Sequence, residues 1–257
     1  MKIALLSEKY TPDVGGLAIS TERFARMLSS GGYEVRVFAP TSNLSQSEKR
    51  ILTHDQVSVT RFGAHKRVDD TLVDWFELIF EEHHRNPFDV FHAYFLTQAG
   101  FVATYAGKYL NVPSVVSMRG NDIERAAFDP AKFSHVMYTL QNATAVTTNA
   151  RELLDRAKAF FDRDITLIQN GIDIDHFQPM EKITKLIQTL RLIPYESSEF
   201  PSYFGKKQTS PFQNRVIGFA GELREKKGLK TLLTAYAQVY KKTPTTLLIV
   251  GVVRPGV

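Results

Sequence analysis

Short apolar runs alternate with amphipathic stretches along most of this chain, and that order restricts its fold more than any other feature. Residues 3–6 form an apolar run. Residues 17–30 then carry Leu17, Thr21, Phe24, Ala25 and Leu28 at close to helical spacing, and Gly31-Gly32 stops them. Further strands are predicted over 34–39, 57–62, 89–92, 114–118, 145–148 and 165–168, and helices over 71–84, 98–110, 133–141 and 151–161. Elements of these lengths in this order predict an α/β fold: a doubly wound, mostly parallel, Rossmann-like sheet covered on both faces. Ligands of such sheets bind beyond the carboxyl ends of the strands, so the residues that follow each strand are the ones to inspect.

The texture changes after residue 179. Residues 180–214 hold a short helical stretch (Ile183, Leu186, Ile187, Leu190) and then Pro194, Pro201 and Pro211 among polar residues, as an interdomain connection does. A strand over 216–220, a loop over 221–228, a helix over 229–240 and a strand over 247–250 follow. The chain therefore divides into a first Rossmann-like domain over 1–179, a connection over 180–214 and the start of a second Rossmann-like domain over 215–257. One strand–helix–strand unit leaves a sheet edge unpaired and an apolar face uncovered, so the second domain is expected to be incomplete here.

Composition removes several classes. There is no apolar run of roughly eighteen residues, so no membrane span is expected. The first apolar run meets Glu8 and Lys9 too soon for a signal peptide. The absence of cysteine excludes disulfides, thiolate metal sites and cysteine nucleophiles, and it fits a cytoplasmic protein. A net charge of +5 is mild and lacks the aromatic-laced basic stripe of a nucleic-acid binder, so no nucleic-acid partner is expected. The densest basic cluster, Arg224, Lys226, Lys227 and Lys230, reads as a solvated helix start, a phosphate site, or a surface for anionic lipid.

Five strand ends carry polar residues. The first turn, residues 7–16, ends in Gly15-Gly16 before a helix, where exposed N–H groups and the helix dipole favour a phosphate; the plainer reading is a glycine-bearing turn. His92 and Tyr94 close the strand around 89–92, where His92 is either a satisfied buried histidine or a functional one. Arg119-Gly120-Asn121-Asp122 follows the next strand, as an Asx-turn or as part of a shared pocket. Asn149 follows the strand over 145–148. Gly221 to Gly228 lies between a strand and a helix, and its Arg224 and Lys227 suit a diphosphate whose charge builds as a sugar bond breaks. Neither a dinucleotide-binding nor a P-loop glycine pattern occurs. No metal site is expected: adjacent His83 and His84 point apart on a helix, and Asp173-Ile174-Asp175 belongs to a longer pattern.

That pattern is Asn170-Gly171-Ile172-Asp173, continuing to Asp175 and Phe177-Gln178-Pro179. Together with the Gly15-Gly16 turn, the strand end at 89–94 and the loop at 221–228, in that order and spacing, it resembles the retaining glycosyltransferases of family 4. These have the GT-B build of two facing Rossmann-like domains, and the resemblance runs from Met1 to about Gly251. It implies transfer of a sugar from a nucleotide-sugar donor, such as a UDP- or GDP-sugar, with no further cofactor. Gly15, Gly16, Gly221, Arg224 and Lys227 would meet the donor phosphates. His92, Tyr94, Asn121 and Asn149 would line the acceptor side, and Arg119 and Asp122 are the candidate catalytic groups. The sequence departs from the family in two places: Glu222 stands where the family's loop has arginine, and Arg119 stands where members carry histidine. The family's paired glutamates for the donor lie in a part of the second domain not present in this chain, so weak or no turnover is expected of this chain alone.

The resemblance implies a carbohydrate or lipid-linked acceptor in polysaccharide or glycolipid synthesis. Peripheral contact with the inner face of a membrane is a further expectation, and so is a missing C-terminal half as partner. Two other readings stand beside it: a non-catalytic acceptor- or partner-binding half of a split glycosyltransferase, and a nucleotide-sugar epimerase on the same build.

Overall fold

A computed structural model describes residues 1–179, 216–223, 225–243 and 245–251. The chain forms two compact units, Met1–Gly171 and Ile172–Val257. The whole connection over 180–214, with the helical stretch expected around 183–190, and Arg224 lie outside the described residues.

The first unit is a three-layer α/β structure. Its sheet contains β1 (Lys2–Leu6), β2 (Glu34–Thr41), β3 (Lys49–His54), β4 (Val57–Gly63), β5 (Val90–Tyr94), β6 (Ser114–Met118), β7 (Ala145–Thr148) and β8 (Thr166–Leu167), in the spatial order 3-4-2-1-5-6-7-8. Every pairing is parallel except β3 with β4. The helices are α1 (Gly16–Ser30), α2 (Val68–Arg85), α3 (Gln98–Leu110), α4 (Asn121–Glu124), α5 (Pro130–Asn142) and α6 (Arg151–Phe160).

The central strand β1 is buried along its whole length, and its side chains alternate between two cores. Ala4 and Leu6 join a large cluster with Phe38, Trp75, Ile79, Phe91, Val116 and Leu140 under α2, α3 and α5. Leu5 joins Val35, Val37, Val59 and Tyr94 under α1. The strand therefore reads as an unbroken apolar run, because both of its faces are covered.

Most predicted elements form within two residues of their expected ends. Two differences have local causes. Helix α5 begins at Pro130 rather than 133, because the Asp129 side chain accepts the Ala131 N–H at 3.1 Å and caps it. Strand β3 was not expected at all. It is an edge strand exposed along its whole length, so it carries no inward-facing pattern. Asp55 and Gln56, both at positive φ, turn it into β4 without the glycine that usually marks such a hairpin.

The strand order places the switch point of the sheet between β1 and β5. From β1 the chain moves outward through β2 and β4; after α2 it returns on the other side of β1. A crevice at the carboxyl ends of these two strands is the favoured ligand position in an open α/β sheet.

The second unit contains β9 (Val216–Ala220), a 3₁₀ turn (Glu225–Lys227), α7 (Leu229–Lys242) and β10 (Thr246–Val250). Strands β9 and β10 pair in parallel.

Candidate active site

The turn after β1 is held from outside itself. Arg61, on β4, is 6% exposed and reaches across the strand ends. Its Nη1 donates to the Tyr10 carbonyl at 2.7 Å and the Thr11 carbonyl at 3.3 Å; its Nη2 donates to Asp13 Oδ2 at 2.9 Å and the Pro40 carbonyl at 3.2 Å. Asp13 closes the turn locally by accepting the Tyr10 N–H at 3.2 Å. Held in this way, the chain enters α1 through Gly15, whose φ of 142° is open to glycine alone in practice. A Cβ added at Gly15 or Gly16 would meet no atom within 4 Å. The turn thus leaves free space at the head of α1, where backbone N–H groups face outward.

His92, Tyr94 and Arg119 come together at the ends of β5 and β6. His92 Nε2 lies 3.0 Å from Ser117 Oγ, which lies 2.9 Å from Thr147 Oγ1, so one hydrogen-bonded chain crosses three strands. The His92 ring also packs 4.8 Å from Phe24 and 5.9 Å from Tyr94. Burial, and then the nearby Arg119 charge, push its pKa down to about 4, so the ring is neutral at neutral pH. Tyr94 is 2% exposed, with the Arg119 guanidinium 4.4 Å above its ring. Tyr94 therefore presents Arg119 to the crevice rather than its own hydroxyl. Arg119 Nη1 donates to Asn170 Oδ1 at 2.8 Å, which ties in the residue that opens the Asn170–Asp173 pattern.

Two polar atoms here have no hydrogen-bond partner among the described residues. Arg119 Nε and Asn149 Oδ1, on neighbouring strand ends, are buried without a hydrogen bond. Buried groups of this kind are usually satisfied, so a ligand hydroxyl at this rim would complete them.

Asp122, a candidate catalytic group in the sequence, has a different role in the structure. It is 1% exposed, and its carboxylate accepts the N–H groups of Leu96, Arg119, Gly120 and Ile123. Burial raises its pKa to about 6 against the pull of those donors. Its oxygens knot the loop after β5 to the loop after β6 and are not open to a substrate. Asn121, one residue earlier, is exposed.

Sequence reasoning missed Glu8. Its Oε1 accepts the Thr97 hydroxyl and, at 3.1 Å, the Gln98 N–H, so it joins the ends of β1 and β5 at the switch point. Burial raises its pKa, with these hydrogen bonds opposing the shift. No motif includes it; only its position directly after a buried strand could have singled it out.

In the second unit, Gly221 has a φ of 155° and its N–H donates to the Val250 carbonyl at 2.9 Å, so the loop springs from the end of β9. Lys227 is exposed at the end of the 3₁₀ turn, and Gly228, in the left-handed region, leads into α7. Asp173 Oδ1 accepts the N–H groups of Asp175 and His176 at 3.1 and 3.0 Å, a local turn that accounts for the acidic pair. Among the described residues, no group of histidine and carboxylate side chains is arranged to hold a metal ion, and no helix is long and apolar enough to cross a membrane.

Solved structures share this fold. Anabaena Alr3699/HepE, in complex with UDP, matches with a TM-score of 0.70 at 20% identity, over 100% of this chain and 62% of that one. The catalytic domain of starch synthase IV from Arabidopsis thaliana, bound to ADP and acarbose, matches with 0.63 at 15% identity, over 98% of this chain and 68% of that one. A putative UDP-N-acetylglucosamine 2-epimerase from Listeria monocytogenes matches with 0.52 at 12% identity, over 98% and 63%. The chain thus spans about two thirds of the length of these proteins, and at such identities the likeness carries the GT-B fold alone. No curated protein sequence matches the chain. The sequence profile of Glycosyltransferase Family 4 matches residues 14–176, which run from the glycine turn past the ends of β2 to β8 and make up more than half of the chain; the chain belongs to Glycosyltransferase Family 4.

Proposed function

We propose that the protein transfers a sugar from a nucleotide-sugar donor, of the UDP or GDP type, to a hydroxyl acceptor with retention of anomeric configuration, in the synthesis of a polysaccharide or glycolipid at the cytoplasmic side of a membrane. The observation that carries this reading is the turn at Gly15-Gly16. It lies at the switch point of a family 4 sheet, is held by Arg61, and has open space where any side chain would stand. That is the arrangement a phosphate or a reacting sugar needs to approach backbone N–H groups.

In this reading the bond from the anomeric carbon to the diphosphate breaks with its electron pair on the diphosphate. An acceptor oxygen bonds to that carbon on the same face, and its proton passes to an oxygen of the departing diphosphate. Lys227 and Arg224 neutralise the leaving diphosphate. Arg119 and Asn149 offer their unpartnered atoms to sugar hydroxyls, and Asp122 acts as a positioning residue for the Arg119 loop. His92 and Tyr94 support that side of the site from beneath.

The reading is tested by incubating the protein with UDP-, GDP- and ADP-sugars and simple glycosides, following nucleotide release and product anomers by NMR. Release coupled to a retained linkage is expected of the protein with a complete second domain, and weak or no turnover of this chain alone. An inverted linkage, or no affinity for any nucleoside diphosphate, would overturn it. A donor epimerised at C2 without a new linkage would favour the epimerase reading, which rests on matches of lower TM-score than HepE.

A further inference from the structure

Strand β3 is one edge of the first unit's sheet, and its pairing with β4 fixes which of its backbone groups are free. The Gly63 N–H donates to the Glu48 carbonyl at 3.0 Å, so these two residues form a hydrogen-bonded pair at the start of the antiparallel ladder. Such pairs recur at every second residue. The N–H and C=O groups of Arg50, Leu52 and His54 therefore face β4, and those of Lys49, Ile51 and Thr53 point away from the sheet. These outward groups take no partner among the described residues.

Sheet edges are usually blunted by proline, by a bulge or by charge. Strand β3 holds no proline, and its register with β4 is unbroken. Ile51 and Leu52, on opposite faces, are 59% and 56% exposed. Only the charges of Lys49 and Arg50 guard the edge, and a second copy of the same strand avoids both.

Two copies related by a two-fold axis meet with their edges antiparallel. With Ile51 on the axis it faces the partner's Ile51. Lys49 then faces the partner's Thr53, Arg50 the partner's Leu52, and Glu48 the partner's His54. All three outward residues are paired, which gives roughly six backbone hydrogen bonds, two for each facing pair. No like charges stand directly opposite one another. Arg50 also keeps a counter-charge of its own, because its Nε and Nη2 donate to Glu48 Oε1 at 2.9 and 2.7 Å. A shift of register in one direction sets Arg50 against the partner's Arg50. A shift in the other carries Lys49 past the end of the partner strand. Each shift loses one of the three pairs.

We propose that β3 is a self-association edge, at which two copies of the chain pair β3 with β3 in this register and join their sheets into one. Six residues a side are few against the roughly 20–30 of a standard interface, so the dimer forms and dissolves with concentration. The proposal does not depend on the reaction that the protein performs.

The test is sedimentation velocity over a concentration series, with hydrogen exchange followed at single amides. A concentration-dependent dimer is expected, and as it forms the amides of Lys49, Ile51 and Thr53 should slow. Those of Arg50 and Leu52, bonded to β4 in each copy, should change little. Ile51→Lys sets like charges face to face on the axis and should raise the dissociation constant at least about tenfold. Ile51→Glu should do the same, and an equimolar mixture of the two variants should dimerise again. Ile51 is exposed, so both variants should keep the fold, which the buried Trp75 reports by its fluorescence. A monomer at every concentration, association unmoved by either substitution, or a mixture that stays monomeric would overturn the proposal. So would free exchange at Lys49, Ile51 and Thr53 in the associated protein, which is the result expected of association through any other surface.

Discussion

Replacing Arg61 with methionine tests whether the glycine turn is held by long-range bonds or by its own sequence. Methionine keeps the buried stem and removes the guanidinium. Asp13 then loses its charged partner, and the Pro40 carbonyl loses its donor. The Tyr10 carbonyl keeps the Asp13 N–H at 2.9 Å and suffers less. Breaking a buried ion pair from one side costs roughly 3–5 kcal/mol. The Asp13 side chain is 21% exposed, so water reaches it and the lower end, about 3 kcal/mol, applies. The lost carbonyl bond adds about 1 kcal/mol. Trp75 is the single tryptophan, is fully buried and lies in the first unit, so its fluorescence follows that unit during urea unfolding. With a urea slope of roughly 1–3 kcal/mol per molar, a total loss of about 4 kcal/mol should lower the midpoint by about 1–4 M. Adding Asp13→Asn completes a double-mutant cycle, in which a coupling of at least about 1 kcal/mol is expected. A loss below about 1 kcal/mol, or additive single changes, would refute the argument that Arg61 holds this turn.

Glycine substitutions should separate packing from ligand approach. At Gly100 a Cβ would press into the Phe95 carbonyl oxygen with Thr139 Cγ2 and Val116 Cγ1 at 3.1 Å, so Gly100→Ala should destabilise by about 2–3 kcal/mol in the same unfolding assay. Gly16→Ala meets no atom within 4 Å and should leave the midpoint nearly unchanged while weakening nucleotide-sugar binding by calorimetry; equal effects on both properties would count against the phosphate role. Asp122 and His92 give opposite pH dependences. The Asp122 pKa rises from 3.8 to about 6, so the native state holds its proton longer and stability falls as pH rises through that window; the His92 pKa drops from 6.5 to about 4, so stability is lost as pH falls through that range. Between pH 4 and 6 the two oppose, so His92→Asn should show a midpoint that falls with rising pH and Asp122→Asn one that rises; identical slopes in the two variants would contradict both assignments. Lys227→Ala should raise the dissociation constant for a nucleoside diphosphate about tenfold, as expected for one charge-assisted bond, and an unchanged constant would remove Lys227 from the site.

What was legible in the sequence is what a window of a dozen residues encodes. Helical spacing in α1, the unbroken apolar strand β1 and the glycines at 15 and 16 are local signals, and the elements form where those signals lie. Family membership was legible for the same reason, since its motif at 170–179 is contiguous. Edge strand β3 escaped because an exposed strand needs no pattern.

The sequence by itself thus determined the order of the elements, the parallel sheet they imply and the strand ends where a site would lie. Only the tertiary structure decided which residues meet there. Arg61 reaches from β4 past β2 to Tyr10 and Asp13, Glu8 reaches Thr97 from β1 to β5 at the switch point, and Asp122 reaches Leu96 from the end of β6 to that of its neighbour β5. It also turned Asp122 inward and set Tyr94 beneath Arg119. The physical reason is that periodicity reports which face of an element is buried, whereas the partner of a polar group depends on which strands become neighbours. An alternation of strands and helices leaves that order open.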